Sequence, residues 1–233
     1  MTKNIGEILL DIMETISILK FHKKPAMILL VDFSKAFDSI SHTFIFDTLS
    51  YFNFGPKFIN IIKTMLSNKQ CTVMIDGTET ESFNIERGVP QGDTASPFIF
   101  ILVLEILIIK LMNDPILTPL KLSNQEFKDE DGGNLEIPPL HCFADDMTVI
   151  LEETEENLVR LKEIFMEFNN LSGLEINEGK TYVIRIGDNL DNTDPLTDKV
   201  KFKYATNFRL LGIDIDNKLN DLQKNFTSRL EKI

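Results

Sequence analysis

The chain has 233 residues, 43% of them hydrophobic and 9% aromatic, a globular composition that excludes intrinsic disorder and leaves ample length for a core. Its net charge of −12 argues against a nucleic-acid partner, because phosphate binding usually leaves a basic footprint. Its two cysteines, Cys71 and Cys142, lie far apart without a CxxC spacing, which excludes a disulfide scaffold or zinc site and suggests reduced thiols in an intracellular protein of cytoplasm or nucleus. No basic-then-apolar leader is visible, and the most apolar stretch, Phe98 to Met112, contains Glu105 and Lys110 and is too short for a membrane span.

In chain order, Ile5, Ile8, Leu9, Ile12, Ile16 and Leu19 recur at helical spacing. Residues 26–31 form a continuous apolar run, as in a strand buried on both faces. Ser41 or Ser39 could cap a helix through about Leu49, and Gly55-Pro56 precedes a second helix over 57–67. Residues 70–75 and 82–85 flank Asp76-Gly77, a hairpin signal. The loop Arg87-Gly88-Val89-Pro90-Gln91-Gly92-Asp93 leads into a long helix from about Ser96 to Met112. Residues 113–139 read as a looser hairpin with a variable tip. A strand, a tight turn at Asp145-Asp146 and a second strand come next, then an amphipathic helix over 154–172 stopped by Gly173. A strand at 180–186, a polar linker at 187–200, a strand at 208–215 and a helix from near Asn217 close the chain. Helices mixed with antiparallel hairpins define an α+β class, one sheet with helices packed on one face.

Phe143-Ala144-Asp145-Asp146 is the most informative segment. Acids are depleted in strands, so two adjacent ones between apolar runs belong at a hairpin turn. Asp32, at the end of the apolar run Met27–Val31, is a third acid in similar surroundings. Like charges a few ångströms apart repel, so such a cluster invites a hard cation that takes oxygen ligands, such as Mg²⁺. Two such ions can clamp an in-line phosphoryl transfer. Each acid taken alone is more commonly a turn former or a cap.

The loop Gly88-Val89-Pro90-Gln91-Gly92 pairs a stiffening proline with glycines that let backbone approach a ligand, and Gln91 offers both donor and acceptor. Taken alone it is an ordinary connection into a helix. A ring at Phe37 could reject a ribose 2′-hydroxyl, although Phe33 and Phe37 at helical spacing also suit a core. Asp38 suits a helix N-cap, as does Asp93 for the helix that follows it. Lys180 could neutralise a leaving pyrophosphate, but most lysines in such places are solvated. His22, His42 and His141 share no spacing and receive no role.

Order and spacing add what single residues lack. The segments Leu30-Val31-Asp32-Phe33-Ser34-Lys35-Ala36-Phe37-Asp38, Arg87 to Pro97 and Phe143-Ala144-Asp145-Asp146, followed by Leu171 to Asn177 with Lys180-Thr181, and then Leu210-Leu211-Gly212-Ile213, resemble reverse transcriptases of non-LTR (LINE-like) retrotransposons over roughly residues 5–215. The family commonly has Tyr where Phe143 stands.

The resemblance implies a right-hand polymerase palm with fingers and thumb incomplete: residues 1–25 a remnant of the fingers, 26–187 the palm, and 188–233 the primer-grip region and start of the thumb. It implies that Asp32, Asp145 and Asp146, with the Phe33 carbonyl, hold Mg²⁺ or Mn²⁺. Gln91 and Gly92 would contact the dNTP, Phe37 would gate the sugar, Lys180 would assist pyrophosphate, and Leu211 and Gly212 would grip the primer. RNA template, DNA primer and dNTP are the implied partners, with further fingers, thumb and endonuclease segments of a longer polyprotein, whose basic residues would partly account for the acidic balance. The alternatives are a catalytically inactive nucleic-acid-binding remnant and a Mg-dependent phosphohydrolase, which leaves the Pro90-Gln91-Gly92 loop without a role.

Overall fold

The computed structural model describes residues 5–67, 69–118, 120–122, 135–136, 140–143, 146–186, 202–210 and 213–216. The chain divides into two compact units, each built from separated segments: 1–32, 112–163 and 177–233 in the first, 33–111 and 164–176 in the second.

The first unit is organised by a five-stranded sheet. Its central strand β1 (Ala26–Val31) is flanked by β9 (Asp146–Glu152) and β10 (Tyr182–Ile186), both antiparallel to it. β8 (Leu140–Phe143) continues the sheet beyond β9, and β11 (Lys203–Tyr204) runs parallel to β10 at the other edge. Alternation along β1 sends Ala26 and Ile28 to one face, where they join Ile150, Ile184 and Ile186. Helix α1 (Ile5–Phe21) covers that face with Leu9, Ile12, Ile16 and Leu19, the apolar stripe its spacing predicts. Met27, Leu29 and Val31, with Met147, Val149, Leu151 and Val183, are buried on the opposite face. The two-sided burial expected of the apolar run at 26–31 is therefore observed.

The second unit contains α2 (Ala36–Ser39), α3 (His42–Tyr51), α4 (Pro56–Leu66) and α5 (Ser96–Met112). Ser41 caps α3, and Pro56 occupies the first turn of α4, where its missing N–H is not needed. α5 is apolar nearly all round and buries Ile99, Phe100, Val103, Leu104, Leu107 and Leu111. The second half of α6 (Glu155–Ser172) belongs to this unit, with Phe44 set edge-on to Phe168 at 5.6 Å and Lys110 paired with Glu167 at 2.9 Å. Gly173 ends α6 at φ +78.

The predicted hairpin around Asp76-Gly77 forms as two short ladders, β3 (Met74–Ile75) with β4 (Thr78–Glu79) and β2 (Gln70–Cys71) with β5 (Phe83–Asn84). Asp76 and Gly77 both have positive φ, as a two-residue primed turn requires. Between the ladders, Thr80 pairs with Val73 through its backbone N–H and its hydroxyl, which interrupts the regular register. In the looser region, β6 (Lys121–Leu122) pairs with β7 (Leu135–Glu136), and the tip of that hairpin lies outside the described residues.

One predicted element is corrected. Residues 208–215 are not one strand but two, β12 (Asn207–Leu210) and β13 (Ile213–Asp216), paired with Leu210 opposite Ile213. Apolar residues at both strand ends, Leu210 and Ile213, made the run read as continuous. The predicted linker 187–200 and the helix from Asn217 lie outside the described residues. Among the described residues no helix is long and apolar enough to cross a membrane.

Candidate nucleotidyl-transfer site

In the first unit the site begins at the end of β1. The β1–β9 register ends with Val31 paired to Met147; Asp32 is the next residue after β1, and Asp146 is the first residue of β9. Antiparallel partners lie about 4.5–5.5 Å apart at Cα, so the two acids adjoin a closely paired end of the ladder. Phe143 pairs with Asp146 across the β8–β9 hairpin. Asp145, with Ala144, lies outside the described residues, as does the side chain of Asp146.

The backbone around Asp32 is held on both sides. Its N–H donates to the Thr181 hydroxyl at 3.3 Å, and its carbonyl accepts from the Asn177 N–H at 2.8 Å. Its carboxylate is 38% exposed, and Lys180 Nζ stands 3.9 Å away, at the limit of an ion pair. Lys180 lies in the turn before β10 rather than in the strand, and its side chain is 69% exposed.

Phe33 is buried and bridges Ile176 in antiparallel fashion rather than starting a helix with Phe37. The bonds flanking this bridge run from Ser34 N–H to the Glu175 carbonyl and from Asn177 N–H to the Asp32 carbonyl. Neither uses the Phe33 carbonyl. The partly exposed Asp32 carboxylate at the end of β1 is a hard oxygen donor of the kind Mg²⁺ takes. Among the described residues no group of three ligating side chains assembles, but that set omits the carboxylates of Asp145 and Asp146.

In the second unit, Phe37 and the Gln91 loop come together. The Val89 N–H donates to the Phe37 carbonyl at 2.7 Å, and the Gly88 N–H donates to the Ile40 carbonyl at 2.8 Å. Phe37 is half-buried and stacks on Phe100, with ring centroids 4.7 Å apart. Gln91 is exposed, and its Nε2 donates to the Asp38 carboxylate at 3.3 Å. Gly92 has φ +86 and open space around it.

Asp38 is therefore not a helix N-cap. Lys35 stands at that position in left-handed conformation, and Asp38 lies inside α2 with its carboxylate turned to Gln91. Asp93 is not the N-cap of α5 either: α5 starts at Ser96, and the Asp93 carboxylate accepts from the Ala95 N–H at 2.8 Å in the turn before it. His42, to which the sequence assigned nothing, contacts the Gly88 carbonyl at 2.8 Å. A histidine just after a capping serine carries no separate signal in one sequence. A cavity of about 470 Å³ in this unit is lined by Asp38, His42, Lys69, Arg87 and Gln91 among others.

Leu211 and Gly212, the predicted primer-grip pair, lie outside the described residues, between the paired strands β12 and β13.

Comparison with known proteins agrees with this arrangement at the level of fold and family. Solved telomerase structures share the fold: that of Candida tropicalis in complex with a TWJ fragment of telomeric RNA has a TM-score of 0.60 at 14% identity over 95% of this chain and 34% of its own. That of Candida albicans, also with a TWJ fragment of telomeric RNA, has 0.59 at 13% identity over 94% and 34%. These define an α+β polymerase palm. The model of the reverse transcriptase (RNA-dependent DNA polymerase) family matches residues 2–215, and the chain belongs to that family.

Its curated relatives narrow the branch to non-LTR retrotransposons. The Pol polyprotein of the type-2 element R2DM of Drosophila melanogaster is 32% identical over 71% of this chain and 14% of its own length. That of the type-1 element R2 of Popillia japonica is 28% identical over 88% of this chain and 29% of its length. The chain thus spans less than a third of either relative.

Proposed function

We propose that this chain supplies the palm chemistry of an RNA-directed DNA polymerase. A primer 3′-oxygen attacks the α-phosphorus of a dNTP, the bond to the β-phosphate oxygen breaks, and pyrophosphate leaves as the 3′-hydroxyl proton is lost. The observation that supports the reading is the β1–β9 register, whose last pair, Val31 with Met147, is followed by Asp32 on one strand and preceded by Asp146 on the other. Asp32, Asp145, Asp146 and the Phe33 carbonyl would hold divalent metal, Mg²⁺ or Mn²⁺. Bound there, the metal would lower the charge barrier on attacking and leaving oxygens.

The chain's own residues do the remaining work. Lys180, close to Asp32 and exposed to solvent, can neutralise charge on the departing pyrophosphate. Gln91 and Gly92 contact the nucleotide, Phe37 stands as a wall against a 2′-hydroxyl, and Leu211 and Gly212 hold the primer end. RNA template and DNA primer are the partners, and a longer polyprotein in the cytoplasm or nucleus is the setting. The telomeric RNA fragment bound in the two Candida telomerase complexes supports a nucleic-acid partner. The net charge of −12 favours a second reading, a nucleic-acid-binding remnant without turnover, since template grip needs cations.

Calorimetric titration with Mg²⁺ and Mn²⁺, followed by primer extension on an RNA template beside a phosphatase assay, tests these readings. Divalent binding at millimolar metal that disappears in Asp145→Ala, with extension and no phosphatase activity, is expected. A folded chain that binds no divalent ion refutes the metal site, and metal binding without extension selects the remnant.

A further inference from the structure

We infer that His42 is a positioning residue for the loop that carries Gln91, acting through the Gly88 carbonyl, an inference that rests on reading this loop as nucleotide-binding. The His42 Nε2 lies 2.8 Å from that carbonyl oxygen. A carbonyl only accepts, so Nε2 carries the proton and donates. The bond supplies what the backbone of the loop lacks. The N–H groups of Gly88 and Val89 both reach carbonyls of the 37–40 segment, Ile40 and Phe37, at 2.8 and 2.7 Å. The Gly88 carbonyl lies between those two donors and needs a donor from a side chain. With His42 in place, the peptide plane joining Gly88 to Val89 is fixed at both ends.

That plane orients everything downstream. Gly88 holds φ +83, a conformation glycine adopts freely and can also leave freely. Three residues on, Gln91 donates to the Asp38 carboxylate, which can only accept, so the amide nitrogen faces Asp38 and the amide oxygen is turned elsewhere. The far end of the loop is tied by Ser96, whose hydroxyl donates to the Pro90 carbonyl at 2.6 Å. His42 itself is steady, because it is the first residue of α3 behind the Ser41 cap. Asp38 and His42 thus reach the loop from the same segment, and both line the cavity beside it. Without the ring donor, the Gly88–Val89 peptide can rotate and Gln91 loses its fixed starting point. The consequence is weaker nucleotide binding with the reacting groups untouched.

The test uses the full chain as wild type, His42→Phe and His42→Gln, followed by NMR and by titration with Mg²⁺ and dTTP. In the wild type the ring proton resides on Nε2 and shows scalar coupling to the Gly88 carbonyl carbon. His42→Phe shifts the amide resonances of Val89, Gln91 and Gly92 and weakens dTTP about tenfold, the equivalent of ~1.4 kcal/mol. His42→Gln, whose amide nitrogen also donates, restores both, which a residue needed only for packing would not do. A proton on Nδ1, loop amides unmoved in His42→Phe, or failure of Gln to restore a loop displaced by Phe overturns the inference. If His42→Phe does not fold, the wild-type coupling and the Gln variant decide. If the wild type binds no dTTP, the nucleotide reading fails, while the same resonances still decide whether His42 holds the loop.

Discussion

Gly88 approaches Asp38 so closely that a Cβ built on it would stand 2.8 Å from both the Cα and the carbonyl oxygen of Asp38. The obstacle is backbone and cannot swing aside. Gly88 also holds φ +83, where an L side chain is strained. Gly88→Ala should therefore destabilise the second unit by about 2 kcal/mol or more, from left-handed strain plus forced separation of the loop from α2. Thermal unfolding measures the loss, and hydrogen exchange at Gly88 and Val89 reports the opened contact. Gly92→Ala is the control: its φ is +86 but nothing lies within 4 Å, so it should show the strain without the clash.

The Arg160–Asp114 pair makes a second prediction, on pH. Arg160 donates to Asp114 Oδ2 through Nε at 3.0 Å and Nη2 at 2.8 Å. The Asp114 side chain is only 3% exposed. The guanidinium hydrogen bond, with backbone N–H bonds from Ile116 and Leu117, holds the Asp114 carboxyl below its ordinary value despite its burial. A depressed carboxyl contributes stability that is full above the unfolded value near ~3.9 and is lost as pH falls through the lower folded value. Asp114→Asn should cost about 2 kcal/mol at pH 7. It should also flatten the acid limb of the stability curve below about pH 4, measured by urea unfolding at a series of pH values.

The sequence carried the fold well where a single period governs a whole element. Leu9, Ile12, Ile16 and Leu19 repeat at helical spacing and are all buried, and the run Ala26–Val31 is buried on both faces. Glycine marked its own turns at Gly77 and Gly173, both at positive φ. It failed where two elements meet within one apolar run, as at Leu210 and Ile213, which pair with each other on two strands. It failed again where a polar side chain has a distant partner. Asp38 suits a cap by local rules, yet Gln91, far along the chain, claims its carboxylate. His42 was unreadable for the same reason, since its partner is a carbonyl that no sequence pattern announces.

Lys180 and Asp32 give a prediction on metal affinity. The ammonium lies 3.9 Å from the carboxylate, and both groups are well exposed, so solvent screens the pair and its strength is small. A cation at Asp32 would compete with this ion pair. Lys180→Ala should therefore tighten Mg²⁺ binding, by no more than about fivefold given the ~1 kcal/mol ceiling for exposed pairs. The same variant should slow nucleotide incorporation if Lys180 meets the leaving pyrophosphate. Calorimetry and single-turnover extension separate the two effects, and weaker metal binding in Lys180→Ala would refute the competition.

Phe37 tests the sugar gate against a purely structural ring. Its side chain is half-buried, stacked on Phe100 at 4.7 Å with planes 28° apart, and its carbonyl accepts from the Val89 N–H. The backbone bond survives any substitution, so the ring can be removed without cutting the loop loose. Part of the ring packs and part is open, so truncation should cost less than the 3–5 kcal/mol of a fully buried phenylalanine, about 2 kcal/mol for Phe37→Val. If the open edge blocks a 2′-hydroxyl, Phe37→Val should raise the relative use of UTP over dTTP by one to two orders of magnitude, as removal of a steric wall from a binding pocket typically does. Phe100→Leu removes the stacking partner and leaves the wall standing, so it should lower stability with little change in sugar preference. A Phe37→Val chain that is less stable but equally selective would return Phe37 to the core, where its stack on Phe100 would be its whole purpose.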